Sequence, residues 1–130
     1  MGLFSFFGRQ TPLEKVESLD DAVLALYALL SPQDCGFSTT IRTKLRASLE
    51  NDGDQLSRLK AVLQAVPPAK KLPGSELMMV IKHLSAGAGL LDGPVQNEIQ
   101  KLQPSARKKL MALVELMQQR AVEVEKVLPK

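Results

Sequence analysis

The chain has 130 residues, a formal net charge of +3 and a sequence pI of about 9.1, with 45% hydrophobic but only 4% aromatic side chains. That length and apolar content suit one domain with an ordinary core, and the single Cys35 excludes an intramolecular disulfide. No stretch approaches the roughly 18 consecutive apolar residues of a spanning helix. So few aromatics leave the core to Leu, Val, Ala and Met, which favours helices over strands. The expected fold is all-α, a single-domain bundle of five to six helices with a long C-terminal helix.

The chain divides into an apolar segment, residues 1–10, and a helical bundle domain, residues 11–130. Three of the four phenylalanines fall in the first seven residues, where Leu3, Phe4, Phe6 and Phe7 form a cluster between Gly2 and Gly8. In a helix Leu3, Phe6 and Phe7 share a face, with Phe4 beside it and Arg9 placed to meet lipid phosphates. Three destinations compete for the cluster: the protein's own core, a membrane surface or a partner protein. Myristoylation would need Ser or Thr at position 6, where Phe6 stands, so membrane attachment would rest on side chains alone and be weak. The segment also lacks the basic start, longer apolar run and cleavage site of a secretory signal. A reducing cytoplasm, peripheral to a membrane if the cluster anchors there, is the expected location.

Thr11, Pro12 and Glu14 form a capping box with proline at the first helical position, and Ser18 with Asp21 offers a second start. From there Leu13, Val16, Leu19, Val23, Leu26, Tyr27 and Leu30 recur at helical spacing until Ser31-Pro32, which predicts a first helix over 12–30. Ser38 caps an expected second helix carrying Ile41, Leu45 and Leu49, ended by Asn51-Asp52-Gly53. Asp54 caps an expected third, through Leu56, Leu59, Leu63 and Val66, stopped by Pro67-Pro68. After a basic connector, Ser75 caps a fourth helix that breaks up at Ala86-Gly87-Ala88-Gly89. Pro94 opens a fifth segment with Val95, Ile99 and Leu102.

The last helix begins near Ser105 and extends to Leu128. Leu110, Val114, Met117, Ala121, Val124 and Leu128 are separated by alternating steps of four and three, a heptad seam. Leu113, Met111, Val122, Leu116 and Val127 make the helix apolar on further faces. Such a helix serves either as the centre of the bundle or as an interface with another chain, including a homodimer.

No motif carrying catalytic or ligand chemistry survives inspection. His83 is the only histidine and has no recognisable nucleophile motif around it, and one Cys with one His cannot supply a structural zinc site. With Gly53 at loop position 6, the run around Asn51-Asp52-Gly53-Asp54 puts Leu59 where a calcium loop needs a bidentate Glu. Gly87, Gly89 and Gly93 are spaced one residue too wide for a dinucleotide fingerprint and follow a helix. Ser105 and Lys108 match a Ser-x-x-Lys spacing only as part of a helix start. No catalytic residue, cofactor or metal ligand is therefore expected. The expected function is that of a non-catalytic interaction or adaptor protein with a protein partner. The alternative is a small basic nucleic-acid-binding protein, in which the second and third helices make a helix-turn-helix-like unit and Arg42, Lys44 and Arg46 touch phosphates. The absence of stacking aromatics from the body of the chain makes nucleic acid the weaker expectation.

Overall fold

Helix α1, Pro12–Leu30, starts at the capping box. In the computed structural model, which describes residues 11–32, 35–65 and 76–128, the Glu14 amide donates to Thr11 Oγ1 at 3.1 Å and the Thr11 amide to Glu14 Oε1 at 3.2 Å. Two orphan donors at the helix start are thereby satisfied. Val16, Leu19, Val23, Leu26 and Leu30 form its buried stripe.

A single helix, α2, spans Thr39–Gln64 from its N-cap Ser38. This corrects the expectation of two helices joined by a turn at Asn51-Asp52-Gly53. Leu45, Leu49, Leu56 and Leu59 are all buried, and Asp52 falls in step between them at the same alternating spacing of four and three. A turn would throw the two halves of that stripe out of phase, whereas a continuous helix buries all four leucines on one face. Each fully buried Leu contributes about 1.5–3 kcal/mol, more than the roughly 1 kcal/mol by which Gly is less favourable than Ala inside a helix.

Three more helices complete the described residues: α3 over Glu76–Ser85, α4 over Gly93–Gln100 and α5 over Pro104–Val127. The expected cap Ser75 and the connector before it lie outside the described residues. Between α3 and α4 the backbone bends through Gly87, Ala88 and Gly89, with φ of +102°, +54° and +84°. A side chain at Gly87 would run into Leu91, so glycine is required there on space as well as conformation. Ala88, nearly fully buried, holds a left-handed conformation that is strained for a residue with a Cβ.

Around the core the order of packing is α1 on α2, α2 on α3, α3 on α5 and α5 on α1. Cross-helix pairs set the directions. Lys60 meets Asp20 while Arg46 meets Tyr27, so α1 and α2 run antiparallel. Lys15 meets Glu123 while Arg120 Nη1 donates to the Ser18 carbonyl, so α1 and α5 do too. His83 lies by Asp52 and Gly89 by Leu45, which makes α2 and α3 antiparallel as well. The result is an up-down-up-down four-helix bundle. Helix α4 joins it through buried Val95 and Ile99 and through Glu98, whose carboxylate accepts from the Ser38 amide at 2.7 Å and from the Ser38 hydroxyl at 2.8 Å. That places a negative charge at the start of α2, where the helix dipole favours it.

The heptad seam of the last helix lies inside this bundle. Leu110, Val114, Met117, Ala121, Val124 and Leu128 are all buried, against neighbours α1 and α3. Of the two roles its pattern allows, this seam takes that of the bundle's core.

Candidate functional site

The run Asn51-Asp52-Gly53-Asp54 in the middle of α2 contributes to two surface features of the described residues. One lies toward α3. Asp52, a core-position carboxylate with only 4% of its side chain exposed, faces His83 across the α2–α3 seam. His83 Nδ1 lies 3.0 Å from Asp52 Oδ2 and 3.2 Å from Oδ1, so both carboxylate oxygens are within reach of one ring nitrogen. That hydrogen bond raises the His83 pKa above its ordinary 6.5; partial burial pulls the other way, and the negative charges of Asp52 and Asp92 add to the rise. Ser48, Asn51, Gln55, Met79 and Val80 line the shallow depression around the pair. Lys44, Ser48, Gly89 and Asp92 line a neighbouring one that shares His83.

The other feature lies on the opposite side of α2, toward α1. There a depression of about 360 Å³ is lined by Val23, Leu24, Tyr27 and Leu49, with buried Asp20, exposed Glu50 and Asp54, and Gly53 and Ser57 beside them. Its lining holds three carboxylates and neither Lys nor Arg. Asp20 is held by Lys60 at 2.8 Å. Leu24 is 57% exposed although it belongs to an otherwise well-packed helix. A Cβ on Gly53 would meet nothing within 4 Å.

The residues singled out from sequence fall elsewhere. Leu3, Phe4, Phe6 and Phe7 lie outside the described residues. Arg42 turns inward: its guanidinium donates to the carbonyls of Leu30 at 2.8 Å and Pro32 at 3.1 Å and to that of Ser31. Arg46 lies over the Tyr27 ring, 5.1 Å from its centroid, and donates to the Tyr27 hydroxyl at 3.1 Å. Lys44 stands apart from both, beside the His83 depression. These three cations therefore do not converge on one anion site, and because α2 is unbroken, the turn of the helix-turn-helix reading does not form.

Asp52, Gly53 and the α1–α2 groove are hidden in the sequence because Asn51-Asp52-Gly53 reads locally as a turn. One signal was available: Asp52 continues the leucine periodicity of α2, and a carboxylate at a core position requires a partner.

The fold and its surface define a four-helix bundle with an acidic-rimmed groove between its first two helices. No family model, curated protein or solved structure matches the chain.

Proposed function

We propose that the chain is a non-catalytic interaction protein whose α1–α2 groove receives a basic, amphipathic helical segment of a partner protein. The observation that carries this reading is Gly53. Glycine inside a helix is unfavourable by about 1 kcal/mol relative to alanine, and the space in front of it is empty, so packing within the chain gives no reason for it. Two further unfavourable choices meet at the same place. Glu50 and Asp54 are like charges four residues apart on α2, and Leu24 exposes apolar surface to water. Local penalties that converge on one depression mark a surface shaped for an occupant.

Charge then selects the occupant. An acidic rim on a chain of net charge +3 favours a cationic partner, and the apolar floor favours one with an apolar face. The depression is at the small end of sites that hold whole small molecules and has room for one or two large side chains. In this reading the terminal cluster of Leu3, Phe4, Phe6 and Phe7 supplies a second contact, to the same partner or to a membrane face in the cytoplasm.

A short helical peptide of alternating leucine and lysine faces provides the probe. Its titration into the labelled protein is expected to give saturable amide shifts at Val23, Leu24, Tyr27, Leu49 and Gly53. Glu50→Lys with Asp54→Lys is expected to weaken binding by about tenfold or more, and added salt to weaken it too. Gly53→Leu should block the groove. Shifts that ignore these substitutions, or equal binding of a leucine–glutamate peptide, overturn the proposal. Deletion of residues 2–8 tests the second contact through liposome co-sedimentation.

A further inference from the structure

We propose that the His83–Asp52 pair is a pH-sensitive latch, which fastens α3 to α2 when His83 is protonated and loosens that seam when it is not. The seam is the natural place for such a device. Among the described residues, this pair is the hydrogen-bonded contact between the two helices, and it closes the bundle between α2 and α3. Helix α3 is only 10 residues long and runs directly into the bend of three left-handed residues at Gly87, Ala88 and Gly89. Its opposite face is held separately by α5, where Gln118 Nε2 donates to the Ser85 carbonyl at 3.2 Å. Loosening the α2 side therefore leaves α3 tethered to the bundle.

The charged groups around the ring set its response. Asp52 faces it from α2, Asp92 from the start of α4, and Lys44 of α2 lines the neighbouring depression; on α3 itself Lys82 is adjacent in sequence and exposed. The two carboxylates dominate, and of these only Asp52 is in contact and buried. A protonated His83 leaves the buried carboxylate with a counter-charge as well as a hydrogen bond. A neutral ring still donates one hydrogen bond but leaves the charge of Asp52 uncompensated in a poorly solvated place. Because the folded chain holds this proton more tightly than the unfolded chain does, the stabilisation is complete below pH 6.5. It is lost as pH rises through the higher folded-state value. Opening the seam bears first on Val80, the buried α3 residue that lines the depression around the pair.

The single histidine makes the test direct, since its ring protons report one titration. Nuclear magnetic resonance of the full chain is expected to place its midpoint above 6.5. Amide-exchange protection of Ile81 and Leu84 should fall by about tenfold relative to Leu19 and Leu26 as pH passes that midpoint. In His83→Gln the relative protection of α3 should no longer depend on pH, and in Asp52→Asn the His83 midpoint should return to 6.5 or below. The Asp52→Asn titration and the unaltered protein keep the test decisive if His83→Gln does not fold. A midpoint at or below 6.5 in the unaltered protein overturns the latch. So does protection that falls equally in α1 and α3, or a pH step that survives in His83→Gln.

Discussion

Arg42 serves a helix to which it does not belong. Its guanidinium reaches from the first turn of α2 to the carbonyls of Leu30, Ser31 and Pro32, where α1 ends without a basic residue of its own in the last turn. The Leu30 and Ser31 carbonyls are acceptors left over at the helix C-terminus, the Pro32 carbonyl also accepts from the Cys35 amide at 3.2 Å, and a cation there suits the helix dipole. Arg42→Ala is expected to destabilise the fold by about 1–2 kcal/mol in urea unfolding. Arg42→Lys should recover only part of this, because a point charge cannot serve three carbonyls as a planar fork does. Gly53 predicts the opposite sign. With open space in front of its Cα, Gly53→Ala should raise stability by up to about 1 kcal/mol in the same measurement. A stabilising substitution in the wall of a binding groove is the expected signature of a residue kept for recognition rather than for folding.

At the scale of elements, legibility followed the range of the forces involved. The bounds of α1 were readable because a capping box, a proline at the first turn and Ser31-Pro32 are all local signals. The stripe of α5 was readable because it is long and uninterrupted. In α2 the local signals of Asn51, Asp52 and Gly53 opposed the periodic one, and burial of leucines on both sides decided the outcome. The His83–Asp52 pair was beyond local reasoning, since its members are 31 residues apart and meet only once α3 has docked. The role of α5 was similarly hidden: its seam identifies an apolar face without saying whether that face meets its own chain or another. Its burial makes the contribution of the central seam residue large. Met117→Ala, at a position with no exposed surface, is expected to destabilise by about 2–5 kcal/mol, read as a lowered midpoint of thermal or urea unfolding.

For the molecule as a whole, one helix carries both surfaces. The groove toward α1 and the His83–Asp52 pair toward α3 lie on opposite sides of the same stretch of α2, Gly53 and Asp54 lining the one and Asn51 and Asp52 the other. The closing of the bundle also has an order in time. Helix α1 is made before α5, so its contact between Lys15 and Glu123, 108 residues apart, must wait for that helix. Until then the hairpin of α1 and α2 presents Leu19, Leu26 and their neighbours without the helix that covers them. A fragment that lacks α5 is therefore sticky rather than a smaller version of the protein.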